Sequence, residues 1–96
     1  METNLMDCSP DLLQEAERLG SLAIPLEMVA SLLGVRLYEL KDAFDDPENP
    51  VRIAYIRGLS IATVKIREEV MSLAEAGSPN SIQTAALWLS AANLQF

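Results

Sequence analysis

The residues of this chain best suited to chemistry are three that can contact nucleic acid, Arg36, Tyr38 and Lys41. A guanidinium, a phenol and an ammonium group can each donate hydrogen bonds to phosphate oxygens or to the edges of bases. If the segment that carries them is a helix that enters a major groove, these three side chains are the ones able to reach DNA. Asp42 and Asp45 would lie nearby and repel the phosphate backbone. The group therefore predicts a nucleic-acid contact weakened by neighbouring carboxylates.

Catalytic and metal-binding groups are sparse. The chain has no histidine, which is the commonest general base, and its single cysteine, Cys8, has no fixed base beside it. The acids Asp45, Asp46 and Glu48 lack the spacing of a calcium loop, and Pro47 and Pro50 indicate that the cluster is a solvated turn. No glycine-rich loop that could cradle a phosphate is present. We therefore expect a protein that is not an enzyme and that binds neither a metal nor a cofactor.

The net charge of -7 is unevenly distributed along the chain. Residues 1 to 50 hold eleven acidic and three basic residues, which gives -8, whereas residues 51 to 96 hold three acidic and four basic residues, which gives +1. Affinity for nucleic acid comes largely from neutralised phosphates, so the acidic first half argues against tight general DNA binding. A local basic face can still dock onto DNA.

Length and composition indicate one small soluble domain. A chain of 96 residues has room for a single core, and its 50% hydrophobic content leaves apolar surface that a partner subunit commonly covers. One cysteine cannot form a disulfide framework, which favours a reducing compartment. The first ten residues lack the basic region followed by an apolar region that is typical of a signal peptide, and no run approaches the roughly 18 apolar residues that would span a bilayer. We expect a cytoplasmic protein.

Residues 9 to 46 predict three short helices. Ser9 and Pro10 supply the cap and the first residue of the first helix, and Gly20 is expected to end it. A second helix is expected from about residue 25 to 33, followed by Gly34, and a third from about residue 36 to 44. Residues 1 to 8 lack periodicity and are expected to form a flexible N-terminus. The apolar residues expected to share one small core are Val29, Leu33, Val35, Leu40 and Ala43.

Residues 47 to 96 predict a helical hairpin for oligomerisation that packs as one domain with the first segment. Asn49 and Pro50 start a long helix, which has two apolar stripes although one packing partner requires only one. Gly58 marks either a close crossing or a bend. The first stripe, expected to face the domain, contains Val51, Tyr55, Leu59, Ala62, Ile66 and Leu73. The second, assigned to an oligomer interface, contains Ile53, Ile56, Val64 and Met71.

The last helix is expected to start at Ser78 and Pro79 and to pack antiparallel against the long helix. It carries a narrow stripe of small and aliphatic residues suited to that contact, Ile82, Ala85, Ala86, Leu89 and Ala92. No segment of the sequence shows the alternation of a strand. The fold class is therefore all-α, with an N-terminal helix-turn-helix unit followed by a long helix and a C-terminal antiparallel helix.

The glycine break resembles the turn of helix-turn-helix DNA-binding proteins, with Ala30 and Gly34 at the turn-core positions. Over about residues 12 to 90, the order of elements resembles the small terminase subunits and related helix-turn-helix proteins of tailed phages and prophages. The stretches that carry this resemblance are LG at 19–20, MVASLLGV at 28–35, an acidic DP break at 46–47, AYIRG at 54–58, LAEAGSP at 73–79 and ALWL at 86–89.

In that family, a similar N-terminal unit binds the packaging site on viral DNA, and the long helices assemble subunits into a ring that recruits the large motor subunit. The resemblance implies a homo-oligomer in the bacterial host cell that binds double-stranded DNA during genome packaging. It also implies a large terminase subunit or another phage protein as partner. The lack of a long apolar run separately leads us to expect no membrane. Arg36, Tyr38 and Lys41 match its DNA-facing positions. The start of its long helix is matched by Tyr55, Arg57 and Gly58.

Two other functions stay open on the sequence alone. The chain is alternatively a non-enzymatic structural or adaptor protein, which uses the helical fold for assembly and turns its acidic face towards a basic protein. It is otherwise a small acidic phage protein that imitates nucleic acid. A charge reversal at Lys41 should matter only if DNA is bound, whereas a charge placed at Ile56 or Met71 should break assembly.

Overall fold

The computed structural model describes residues 9 to 95, and over that range the chain contains five helices and no strand, so the predicted all-α class is confirmed. The predicted flexible segment at residues 1 to 8 lies outside the described residues. The chain divides into two compact units, the first ending at Ala62 and the second beginning at Thr63. The helices are α1 (Pro10–Ser21), α2 (Leu26–Leu33), α3 (Leu37–Asp45), α4 (Pro50–Glu75) and α5 (Pro79–Leu94).

One hydrophobic core holds the first unit together. All five residues expected in it are there: Val29, Leu40 and Ala43 are buried, and Leu33 and Val35 pack against them. Full burial of an aliphatic side chain contributes about 1.5–3 kcal/mol to folding, so these few residues supply much of the stability of so small a unit. The remaining buried members of the core are Ala16, Leu19, Ala30, Val51 and Tyr55.

The helix starts predicted from serine, asparagine and proline are confirmed. The Ser9 hydroxyl accepts a hydrogen bond from the Leu12 N–H at 3.2 Å, and Ser78 accepts one from Ser81 at 3.4 Å. Buried Asn49 accepts a 2.9 Å hydrogen bond from the Val51 N–H at the start of α4. Each side chain satisfies a backbone donor that the first turn of a helix leaves without an intrahelical partner.

The prediction that Gly20 ends α1 is wrong, because the helix continues to Ser21 and Gly20 is buried within it. Its role is a close crossing with α4: a β-carbon at Gly20 would lie 2.0 Å from the Tyr55 carbonyl oxygen. Gly58 has the reciprocal role, since a β-carbon there would lie 2.0 Å from the Glu17 carbonyl oxygen. Of the two alternatives for Gly58, the close crossing is therefore correct. Two glycines allow the two backbones to touch.

Tyr55 connects α4 to the segment between α1 and α2. Its hydroxyl donates a 2.7 Å hydrogen bond to the Ile24 carbonyl oxygen, and its ring packs edge-on against Phe44, with ring centres 5.4 Å apart. Burial raises the pKa of Tyr55 above its ordinary value of 10.0. The neutral phenol is therefore the form that the folded chain stabilises.

Tyr55→Phe should lower the free energy of unfolding at pH 7 by about 1–2 kcal/mol, because the Ile24 carbonyl loses its partner. Because the pKa is raised on folding, the contribution of the neutral phenol is complete below about pH 10 and is lost as pH rises through the folded-state pKa. The phenylalanine variant should lose less stability than the natural chain in this alkaline range. Urea unfolding at pH 7 and pH 10.5 measures both effects, with exposed Tyr38→Phe as the control. Parallel pH profiles for the natural and Tyr55→Phe chains would contradict the role of the phenol.

The second unit contains the later part of α4 and all of α5, joined by a turn in which Gly77 has a φ of 99°. The guanidinium of Arg67 lies over the ring of Trp88, 4.4 Å from its centre, as in a cation–π contact. Ala85 is the only buried residue of the stripe predicted to pack against the long helix. Its aliphatic neighbours Ile82 and Leu89 are about half exposed.

Candidate nucleic-acid interface

The α2–α3 pair presents one face of α3 to solvent. Leu40 and Ala43 anchor the inner side of the helix in the core, so Tyr38, Lys41 and Asp42 lie on the outer side. The separation follows from the helical repeat, because residues three or four apart share a face. All three residues predicted to contact DNA are exposed.

The structure brings Arg36 and Tyr38 together. The Arg36 guanidinium donates a 3.2 Å hydrogen bond to the Tyr38 hydroxyl. This bond is the main cause that raises the pKa of Arg36 above its ordinary value, followed by charge interactions with Tyr38 and with Glu39. Both side chains remain exposed, so the contact orients the guanidinium without removing it from water. A pre-oriented, permanently charged donor is well suited to a phosphate oxygen.

The side chain of Glu39, the third residue of α3, stabilises the start of this helix, where a Ser, Thr, Asp or Asn cap is usual. This role was not predicted from the sequence. The Glu39 Oε1 atom accepts a 3.2 Å hydrogen bond from the backbone N–H of Arg36, which has extended φ and ψ angles of -77° and 144°. An acid at the third helical position is half of a capping box, and that is the signal that could have revealed it. The carboxylate also lies at the positive end of the helix, where it is stabilised.

Lys41 lies one turn beyond Tyr38 and is exposed beside Asp42. From Arg36 to Asp45 the chain carries two basic and three acidic side chains, a net charge of -1. Positive and negative groups therefore alternate on a small surface. Such a surface offers two cationic contacts to phosphates but no broad positive field.

The turn-core residues adopt the conformations that a tight helix junction requires. Ala30 is buried, and Gly34 has a φ of 76°, which is the left-handed region that glycine adopts without strain. The Val35 N–H donates a 3.0 Å hydrogen bond to the Ala30 carbonyl oxygen across this turn. The bond satisfies a carbonyl that the end of α2 would otherwise leave free. The junction between α2 and α3 is thus fixed by local chemistry.

The residues predicted to form an oligomer interface fall in both compact units. Ile53 and Ile56 of the first unit are exposed, as is Val64 of the second, whereas Met71 is half-buried. A shallow groove of about 400 Å³ follows the later part of α4 and is lined mainly by apolar surface. Its lining residues are Thr63, Val64, Arg67, Glu68, Met71, Ser72 and Glu75. These exposed aliphatic side chains are available for contact with another molecule.

The acidic residues of the described range are not gathered into a metal site. No group of three or more carboxylate side chains lies close enough in residues 9 to 95 to hold a metal ion, and the acids from Asp45 to Glu48 are spread over an exposed turn. The Asp46 carboxylate accepts a 3.0 Å hydrogen bond from the Glu48 N–H, which stabilises that turn. No helix in the described range is long and apolar enough to cross a bilayer.

Comparison with protein-family models, with curated proteins and with solved structures finds no match to this chain.

Proposed function

We propose that this chain is a DNA-binding protein of the phage or prophage terminase small-subunit type, which recognises or holds double-stranded DNA as an oligomer during genome packaging in the bacterial cytoplasm. The observation that supports this most is the α2–α3 pair. Its glycine turn is followed by exposed Arg36, at the N-cap of α3, and by exposed Tyr38 and Lys41 on α3. The Arg36–Tyr38 hydrogen bond gives this surface a fixed donor for a phosphate or a base edge.

An oligomer compensates for the low charge of each α3 surface. A net charge of -1 from Arg36 to Asp45 predicts weak binding by one copy. When several copies are linked, the first contact raises the effective concentration of the others, so the assembly binds far more tightly than one unit. Exposed Ile53, Ile56 and Val64 support the proposed assembly. A large terminase subunit or another phage protein is the expected further partner.

A structural or adaptor protein that does not bind DNA is the second candidate. It is favoured by Asp42 and Asp45, which are exposed on α3 beside Lys41. These carboxylates repel phosphates but attract lysine and arginine side chains of a basic protein. Under this alternative, the α2–α3 pair is retained as a packing arrangement and the oligomer is the functional unit.

Light scattering of the purified chain, with and without a DNA duplex, separates these two functions. An oligomer that gains mass with DNA at both salt concentrations, and gains less at physiological salt than at low salt, supports the packaging role. An oligomer whose mass is unaffected by DNA at both salt concentrations contradicts it and supports the adaptor. A monomer under all conditions would contradict both.

Lys41→Glu should weaken DNA binding roughly tenfold and reduce the slope of affinity against salt by about one unit, because one phosphate contact is lost and replaced by repulsion. Arg36→Ala should have a similar effect on the slope. The mass of the free oligomer should stay unchanged for both variants, since Lys41 is exposed on α3 and Arg36 is exposed immediately before it. Fluorescence anisotropy at several salt concentrations measures the affinity.

Lys65→Glu is the matched control, because it makes the same change of net charge in the second compact unit. An equal loss of DNA affinity in the Lys41 and Lys65 variants would show that affinity depends on the total charge of the chain and that α3 is not the DNA-contacting helix. Ile56→Asp should instead reduce the mass of the oligomer by placing a charge in the proposed interface.

A further inference from the structure

Most side chains of α5 are exposed in the single chain, but its amino-acid composition is that of a helix buried against other protein. From Ala76 to Phe96 the chain carries no charged side chain. A helix without a charged face is typical of one that is surrounded by protein. In the single chain, however, Ala85 is the one buried residue of α5, and Leu87 is 71% exposed. The composition of α5 therefore indicates a partner that the single chain does not supply.

One exposed face of α5 has the spacing of a helix–helix seam. Ala85 and Trp88 lie on the side of α5 that is in contact with its own unit, where Trp88 meets Arg67. Beside that contact, four exposed residues follow one another at intervals of four, three and four, which is the repeat of a coiled-coil seam. We define them as the α5 seam, and they are Ile82, Ala86, Leu89 and Asn93.

The α5 seam is complementary to itself when two copies run antiparallel. A two-fold axis between Leu87 and Trp88 places Ala86 opposite the partner's Leu89, and Ile82 opposite the partner's Asn93. Each larger side chain then faces a smaller one, an arrangement that favours close packing of two helices. In a parallel pair, Leu89 would face the partner's Leu89 and Ala86 would face the partner's Ala86. Two large side chains would then meet in one layer of the seam, and two small side chains would leave a gap in the next layer.

We propose that α5 pairs antiparallel with the α5 helix of a second copy of this chain through the α5 seam. The absence of charge from Ala76 to Phe96 favours this partner, because neither copy repels the other and no charge is left unpaired when the seam is covered. Antiparallel helices also place the positive end of each dipole beside the negative end of the other. This inference rests on the oligomer of the proposed function and identifies one contact within it. The contact does not involve the DNA-facing residues.

The second unit leaves the large aliphatic residues of the α5 seam about half exposed. Ile82 is 48% exposed and Leu89 is 57% exposed. A unit of 34 residues, from Thr63 to Phe96, is too short to bury these groups by itself. A second copy that covers the seam removes both side chains from water, which favours the pairing.

Leu89→Asp tests the pairing against the matched change Leu87→Asp. Leu87 is the more exposed of the two in the single chain, but it lies on a different face of α5 from the seam. We expect Leu89→Asp to raise the dissociation constant for self-association roughly tenfold or more, and Leu87→Asp to change it far less. Sedimentation equilibrium over a range of concentrations gives both constants. Circular dichroism confirms that both variants keep their helices.

Cysteine cross-linking tests the register in a Cys8→Ser background. An Ala86→Cys chain mixed with a Leu89→Cys chain should form a disulfide between copies under mild oxidation. Either chain alone should form little, since identical positions are offset by about 4.5 Å along the pair. Efficient cross-linking of Ala86→Cys with itself would indicate a parallel pair and overturn the proposal.

The same samples keep this inference separate from DNA binding. A chain that forms the 86–89 cross-link but gains no mass with duplex DNA contradicts the packaging role and supports the pairing. If the chain binds DNA, but the Leu89→Asp and Leu87→Asp variants self-associate equally well, the pairing is overturned and the DNA-binding role is not.

Discussion

Gly58→Ala should lower the free energy of unfolding by about 3 kcal/mol or more, because the added methyl group cannot fit between α1 and α4. It would lie 2.0 Å from the Glu17 carbonyl oxygen and 2.9 Å from the Ser21 nitrogen. Both are backbone atoms, so no side-chain rotation relieves the overlap and α1 must move as a whole. Gly20→Ala should act in the same way from the other helix, through the carbonyl oxygen of Tyr55.

The sign of the effect decides between two accounts of Gly58. Helix propensity alone predicts that alanine in the middle of α4 stabilises the chain by about 1 kcal/mol. The crossing predicts a large loss instead. Urea unfolding measures the difference, and Gly34→Ala is the control, because it has open space around it and a φ of 76°. The control should lose only about 1–2 kcal/mol from backbone strain. A stabilised Gly58→Ala chain would contradict the crossing.

The helix boundaries could be predicted because they depend on neighbouring residues. Asn49 followed by Pro50 starts α4, and Gly34 follows the end of α2 in the left-handed conformation. Each signal acts within one turn of the helix, so its chemistry is contained in the sequence nearby. For the same reason, the exposure of Lys41 and the burial of Leu40 followed from the helical repeat.

Gly20 could not be predicted in the same way, because glycine serves two purposes that look alike in a sequence. It ends helices, and it also lets two backbones touch. Which purpose applies depends on Tyr55 and Gly58, which lie in a distant helix. The pairing of Gly20 with α4 is therefore a property of the tertiary structure. The Arg36–Tyr38 hydrogen bond similarly depends on side-chain rotamers that the sequence does not specify.

Periodicity showed which residues share a face but not what covers that face. The stripe of α4 expected to face the domain is buried at Val51 and Tyr55 but exposed at Ile66 and Leu73. The first pair lies against the core of the first unit, and the second pair lies in the second unit. A repeat of apolar residues looks the same whether its partner belongs to the same chain or to another.

Leu40→Ala should lower the free energy of unfolding by about 2–5 kcal/mol, because it leaves a cavity in the core of the first unit. Leu40 is 0% exposed and is one of the largest fully buried side chains there. Leu32→Ala removes the same atoms from α2, where the side chain is 58% exposed, and should change stability by at most about 0.5 kcal/mol. Urea unfolding of the two variants measures the effect of burial alone, because both substitutions remove the same atoms. Similar losses in both would contradict the core described for α3.

Leu40 and Lys41 are adjacent in the chain, but the side chain of Leu40 is buried in the core and that of Lys41 is exposed to solvent. Effects on folding and on DNA binding can therefore be separated experimentally. Leu40→Ala should shift the unfolding midpoint and leave the DNA affinity of the folded fraction nearly unchanged, because its side chain does not reach the outer face of α3. Lys41→Glu should lower DNA affinity and leave the midpoint nearly unchanged, because Lys41 is exposed. A Lys41→Glu chain that unfolds as easily as Leu40→Ala would mean that the outer face of α3 is required for the fold.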